Sequence, residues 1–436
     1  MARFALLCVP AQGRLFPMLA LGQQLVQRGH QVTLLGRERM AAQVEATQIE
    51  FVNLDEIESS QPDLALYRTS PIRRFLPSRI ARMGSGPYAE ATGLRAIALS
   101  IESYRHWAAF DLGRVPPVLD RLSVDALIAS ESSLGASTIA EQQKIPFVTI
   151  STGLPRHATG LLPPEFTLWP HQDAVWARSR NREIHRFRRL LDIPTLDMLN
   201  HVRSNFSLPP YKLLSDTRSP LAMLSQLPPG FEFPVPESEK PVDYLGPLVR
   251  SDSREDTPFP WHQLTGDPVI YASAGTLSFG REFFQSIGRA CQGLPVQLIA
   301  TRGGGDFPVL DDSFPENAII VDYAPQIEIL KRASLTITHG SVNTIVESLL
   351  HGVPLIAIPL VFDQPGAASR LARTGAGIAM SLKEAKTSRL RSAIQQILQD
   401  SEHRSAARRM QETCIAAGGT ERGAEIIESK TLARAS

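Results

Sequence analysis

The residues between Tyr323 and Gln364 are the ones whose types and spacing could do chemistry together. Thr338, His339, Gly340 and Ser341 close an apolar run, 335–338, that reads as a β-strand. Residues 342–350 read as the helix that follows it. A helix starting straight after small residues at a strand end presents free N–H groups and the positive end of its dipole, which suits a pyrophosphate. His339 and Asn343 can add side-chain donors. Glu347 lies one turn past Asn343 on the same helix face, where a carboxylate can accept both hydrogen bonds of a ribose diol. Tyr323, which opens Tyr323-Ala324-Pro325-Gln326, offers a flat ring on which a base can stack. Asp363 and Gln364, past the next strand and a proline, can bind sugar hydroxyls. Any one of these pairs alone would mean little, and Gly352 and Pro354 read as turn chemistry. The weight lies in their joint order within a strand–loop–helix context.

Such a constellation works only if parallel strands deliver it to one edge of a sheet. The periodicity predicts a buried strand at 4–9, a loop at 11–17, an amphipathic helix at 18–28 ended by Gly29, and a strand at 31–35. Further strands are expected at 125–130 and 146–151, with a helix at 135–143. The proline-dense tract 228–247 reads as a linker. After it the alternation restarts, with strands at 269–273, 296–301, 318–321, 335–338 and 355–358 and helices at 280–292 and 342–350. Strands joined by helical crossovers imply an α/β chain with parallel sheets. Two such sheets leave a cleft at the strands' C-terminal ends, where ligands bind. The expected division is an N-terminal domain 1–227, the linker 228–247, a C-terminal domain 248–417 and a last helix within 418–436.

Bulk properties exclude other classes. With 436 residues, 43% hydrophobic and 20% charged, the chain can bury cores without metals or disulfides. A formal net charge of +1 gives no electrostatic case for nucleic acid. Cys8, Cys291 and Cys414 are far apart, lack metal-ligand spacing and read as reduced thiols. The N-terminus lacks a signal-peptide pattern, so cytoplasm is the expected compartment. The segment 152–210 breaks the alternation with prolines, aromatics and arginines, and reads as helices decorating one sheet edge. Its run Arg186, Arg188, Arg189 reads first as a solvated helix face, with anion or peripheral membrane contact as the alternative.

The constellation resembles the C-terminal signature of the family 1 glycosyltransferases, which have the GT-B fold of two facing Rossmann-like domains and use UDP-sugars. The resemblance extends over nearly the whole chain and is strongest between 320 and 375. It implies that Tyr323 stacks on uracil beside Ala324 and Gln326, with tyrosine where the family commonly has tryptophan. It implies that His339, Gly340, Ser341, Asn343 and Thr344 surround the phosphates, that Glu347 holds the ribose, and that Asp363 and Gln364 hold the sugar. The loop carrying Ser273, Gly275 and Thr276 would approach the phosphates too. The last helix would cross back to the first domain, and no cofactor or metal beyond the donor substrate is expected.

The loop 10–17 also resembles the family's, but where the family has a histidine base this chain has Arg14. Imidazole titrates near neutral pH and guanidinium does not, so Arg14 cannot take the acceptor's proton. The aspartate that steadies the family's histidine corresponds to Glu131. Three readings stay open. Arg14 and Glu131 form an ion pair that shapes the pocket; Glu131 is itself the base, weakened by a neighbouring arginine; or an acidic or amine acceptor needs no base, and Arg14 holds it as an anion. His30 reads as structural, and nothing singles out His106, His157, His171, His185 or His201. Phe16, Phe166 and Trp169 are the expected apolar acceptor wall; the last two lie in a stretch resembling the acceptor region of bacterial carotenoid-type glucosyltransferases. The expected function is transfer of a hexose, glucose first, from a UDP-sugar to a small lipophilic acceptor with inversion. The alternative is a nucleotide-sugar-binding protein that has lost turnover.

Overall fold

Short apolar runs become the central strands of two wholly parallel sheets in the computed structural model, which describes residues 1–61, 64, 94–237, 239, 241–250, 257–275, 281–303 and 312–432. The first sheet has the order β3-β2-β1-β4-β5-β6-β7. Its strands are β1 (Arg3–Leu7), β2 (Gln31–Gly36), β3 (Glu50–Asn53), β4 (Ala126–Ser130), β5 (Phe147–Ser151), β6 (Met223–Ser225) and β7 (Asp243–Tyr244). The second has the order β10-β9-β8-β11-β12-β13. It comprises β8 (Val269–Ser273), β9 (Gln297–Thr301), β10 (Ile319–Val321), β11 (Ala333–Thr338), β12 (Leu355–Ala357) and β13 (Gly377–Ala379). In each sheet the winding reverses once, between β1 and β4 and between β8 and β11. A crevice opens at such a point beyond the strands' C-terminal ends. This is the GT-B arrangement expected.

The helices are α1 (Gln12–Gln27), α2 (Ala41–Glu45), α3 (Leu94–Leu122), α4 (Ala136–Gln143), α5 (Val175–Asn205) and α6 (Arg281–Cys291), then α7 (Gln326–Leu330), α8 (Val342–Leu350), α9 (Gln364–Thr374), α10 (Thr387–Gln399), α11 (Ser401–Ala416) and α12 (Gly419–Thr431). Three elements depart from the sequence expectation. The loop expected at 11–17 is already helix, so Arg14 and Phe16 sit in the first turns of α1, with Pro17 inside it. Proline has no N–H for the carbonyl four residues back. The Gly13 carbonyl accepts instead from Asn343 Nδ2 at 2.9 Å, across the cleft. Within the expected linker, β7 extends the first sheet, and Phe231 and Phe233 are buried. The decorating helices are one 31-residue helix, α5.

The two halves are welded at several points. Leu154, Leu227 and Phe231 share a core with Ile345, Leu349 and Leu371. Arg370 Nε, on α9, donates to Glu232 Oε1 at 2.5 Å, and His157 Nε2 lies 3.5 Å from the other oxygen. Burial opposes the Glu232 charge, but Arg370 and His157 outweigh it and hold the carboxyl at about 2. Helix α12 returns to the first half, where Ala424 and Ile427 enter the core with Leu21 and Leu25. There Glu428 binds Arg28 and His30, each at 2.8 Å. His30 Nδ1 accepts from Ala2 N, so this histidine is structural.

Candidate active site

Strand ends from both sheets converge on the cleft. His339 directly follows β11 and is buried, with Nδ1 3.4 Å from the Ser273 carbonyl at the end of β8. Gly275 has φ +69°, and a Cβ there would come within 2.7 Å of the His339 ring, so only glycine lets the two loops close on it. Burial pushes His339 down to about 4, against smaller opposing pulls from the Ser273 carbonyl and Asp363. Gly340 turns the chain with φ +84°, donating to Thr338 Oγ1. Ser341 is the N-cap of α8, and its hydroxyl makes no capping bond. That end of a nine-residue helix, with Thr344 buried in its first turn, suits an anion.

Tyr323 is half exposed. With Ala324, Gln326, Ser273 and Gly275 it lines a cleft of about 990 Å³, to which α1 contributes Gln12 and Phe16. Glu347 is buried and accepts from Gln326 Nε2 at 2.6 Å, while Gln326 Oε1 accepts from the Tyr271 hydroxyl at 3.0 Å. Thr276 lies outside the described residues. Asn343 is committed on both sides. Its Oδ1 accepts from Gln226 Nε2 at 2.7 Å, and its Nδ2 donates to Gly13. Gln364 Oε1 accepts from the N–H groups of Leu360 and Val361, which braces a turn in which Phe362 has φ +57°. Asp363, beside it, accepts from Leu154 N at 3.3 Å and faces Arg14 Nη2 at 3.7 Å. A Cβ on Gly153 would collide with the Arg14 guanidinium and lie 2.6 Å from Asp363 Oδ2, so arginine and aspartate meet over a bare backbone.

Residues 4–163 match the Glycosyltransferase family 28 N-terminal domain, and residues 302–428 match the Erythromycin biosynthesis protein CIII-like C-terminal domain. Zeaxanthin glucosyltransferase of Pseudescherichia vulneris is 29% identical over 433 residues, 98% of each chain. That of Pantoea ananas is 27% identical over 98% of this chain and 96% of its own. The solved glycotransferase of kitacinnamycin superposes with a TM-score of 0.72 at 21% identity, covering 98% of both chains. The chain is a glycosyltransferase with the GT-B fold.

Of the three readings left open for Arg14 and Glu131, the structure overturns the first. Arg14 and Glu131 do not pair. Arg14 turns to Asp363 and hydrogen-bonds Thr152, with Tyr104 lining the same cavity. Burial works against its charge, but Tyr104, Asp363 and Glu131 hold it protonated above its ordinary range. Glu131 is engaged elsewhere, accepting from Arg218 Nε at 3.2 Å, Arg156 N at 3.1 Å and Ser151 Oγ at 2.9 Å. Burial would raise its pKa, but Arg218 and Arg156 lead the groups that lower it. A carboxylate with that many donors is a poor base. Both orphaned partners were satisfied by residues distant in sequence, which is why the Arg14–Glu131 pair failed to form.

Phe166 lines a cavity of about 60 Å³ with Arg14, Tyr104, Glu131, Phe362 and Asp363. Trp169 does not join it. Its ring lies under Arg180 at 3.8 Å, and its carbonyl accepts from Ser369 on α9. Phe16 faces the larger cleft. His157 and His185 line an adjoining cavity. Tyr104, Gln226, Arg156 and Arg218 carry no sequence motif and emerge only from the geometry. Pro17, four residues after Gly13, signals an unpartnered carbonyl only once residues 12–17 are known to be helical, and the sequence read them as a loop. Among the described residues no group of three His, Cys, Asp or Glu is placed to hold a metal.

The depressed pKa values of His339 and Glu232 predict acid sensitivity in two windows. The neutral His339 ring favours the fold fully above about pH 6.5, and this is lost as pH falls through about 4. The Glu232 carboxylate favours it above about pH 4.5, and this is lost toward pH 2. Denaturant unfolding is expected to lose roughly 3 kcal/mol between pH 6.5 and 4 from the histidine. His339→Gln should flatten that window alone and leave the lower one in place.

Proposed function

We propose that the enzyme transfers a hexose, glucose in the first place, from a UDP-sugar to a small lipophilic acceptor, with inversion at the anomeric carbon. We further propose that the accepting atom is already an anion or is a nitrogen. The observation that carries this is the Arg14–Asp363 contact over Gly153, with Glu131 locked by Arg218 and Arg156. The place of a general base is thus held by a group that keeps its proton. Glucose and a lipophilic acceptor are supported by the relatives named for zeaxanthin glucosylation, and UDP by the family resemblance at 323–364.

In this reading residues 1–227 receive the acceptor and 248–417 the donor, joined by 228–247. Tyr323, Ala324 and Gln326 take the base, and Glu347 the ribose. Ser273, Gly275, His339, Gly340, Ser341, Asn343 and Thr344 surround the diphosphate, and Asp363 and Gln364 hold the sugar. When sugar hydroxyls occupy Asp363, Arg14 is freed to face the acceptor's negative charge. The acceptor's electron pair forms the new glycosidic bond from the face opposite UDP, while the anomeric carbon–phosphate oxygen bond breaks. The open end of α8 and His339 stabilise the charge on the departing diphosphate.

The test is a pH–rate series with UDP-glucose and phenols of graded acidity. The half-point of kcat/KM is expected to move with each phenol's own pKa. One shared enzyme pKa near neutrality for every phenol would overturn the reading. Arg14→His is expected to gain about 10²-fold on simple alcohols, the lower range for general-base assistance, and no gain would remove the lost-base argument.

A further inference from the structure

Helix α5 is built inside out over its first half. A surface helix normally turns apolar residues to the protein and polar ones to water. From Asn181 to Asp192 the inward stripe is polar. Asn181 Nδ2 donates to the Leu161 carbonyl at 2.8 Å and His185 Nε2 to that of Leu162 at 3.0 Å. Arg188 Nη1 binds Glu165 at 2.6 Å, and its Nε binds Asp192 at 3.3 Å. The outward side carries Trp176, Phe187, Leu190 and Ile193, with Trp176 59% and Leu190 62% exposed. Together with Val175 these make half of the ten large hydrophobic side chains exposed among the described residues. From Thr195 onward the usual pattern returns, with Met198, Leu199 and Val202 buried.

The charge on this helix is equally uneven. It carries seven arginines against Glu183, Asp192 and Asp197, in a chain that nets +1. Arg182 and Arg186 stand exposed beside the apolar stripe. We propose that the outer face of α5 docks on the surface of an anionic lipid bilayer. An apolar stripe edged by arginines matches acyl chains beneath a layer of negative headgroups. A second copy fits less well, because a two-fold contact through this face would set arginines against arginines. No described helix is long and apolar enough to cross a membrane, so the contact is interfacial. The inner side of the same helix lines the cavity at Arg14 through Arg188. A lipophilic acceptor leaving the bilayer therefore meets the reacting centre one helix thickness away. The docking itself rests on the surface of α5 and not on which sugar is transferred.

Co-sedimentation of the full chain with phosphatidylcholine vesicles, with and without phosphatidylglycerol, tests this. Partitioning is expected to rise at least about tenfold with phosphatidylglycerol and to fall with added salt. Phe187→Asp/Leu190→Asp and Arg182→Glu/Arg186→Glu should each lower it about tenfold, with melting temperature and UDP affinity unchanged. Equal partitioning into both vesicle types, or variants that bind as the parent does, would overturn the proposal. So would a dimer in sedimentation velocity that the aspartate variant dissociates, since the face would then belong to a second copy.

Discussion

Alanine in place of His339 is expected to lower kcat about 10²–10³-fold, the usual loss when one preorganised group facing developing charge is removed. The ring is buried and held between the Ser273 carbonyl and the bare backbone of Gly275. It cannot swing away, and water cannot easily replace it. Its charge state sets the size of the effect. The free enzyme keeps it neutral at pH 7, so in the proposed role it would attract the donor little before reaction, whereas a departing diphosphate would concentrate negative charge beside it. The loss should therefore fall on kcat more than on donor affinity. Steady-state kinetics with calorimetric titration of UDP-glucose checks this. An equal loss in both would mean that His339 binds the donor without favouring the transition state.

Arg370→Met is expected to cost about 3–5 kcal/mol of folding stability, because it strands the buried Glu232 carboxylate. His157, 3.5 Å from the other carboxylate oxygen, does not replace the Arg370 Nε–Glu232 Oε1 bond, and Phe233, packed under the guanidinium at 4.2 Å, loses a stacking neighbour as well. The double variant Glu232→Leu/Arg370→Met should recover most of the loss, since an apolar pair leaves no stranded charge. Urea unfolding of the parent, both single variants and the double variant measures the coupling. Activity should fall with the single variant too, because α9 carries Arg370 on one turn and presents Asp363 at its N-cap. If Arg370→Met unfolded within about 1 kcal/mol of the parent, the ion pair would be dispensable to the weld between the halves.

The sequence by itself determined the strand–turn–helix unit that carries the proposed donor site. Strand 335–338, the small-residue turn and helix 342–350 are contiguous, so their hydrophobic period and the positions of His339, Asn343 and Glu347 are set by local backbone geometry. The central strands of both parallel sheets were legible for the same reason, each being a short apolar run bounded by its own turn residues, whereas the short strands β3, β6 and β13 were not expected. The short helix α7, the start of α1 at Gln12 and the edge strand β7 were not. Proline in each neighbourhood outweighed local propensity, and distant partners made those conformations stable.

Only the tertiary structure decided which charges meet. Arg14 and Glu131 look complementary as letters, and each is complementary to many residues. Their choice depends on what the packed chain brings within 4 Å. It brings Asp363 to Arg14 over Gly153, and Arg218 and Arg156 to Glu131. Electrostatic partnership falls off with distance and burial, not with sequence separation. The loop proposed to hold the phosphates could therefore be read along the chain, whereas the charge partners on the proposed acceptor side depended on how the two sheets pack together.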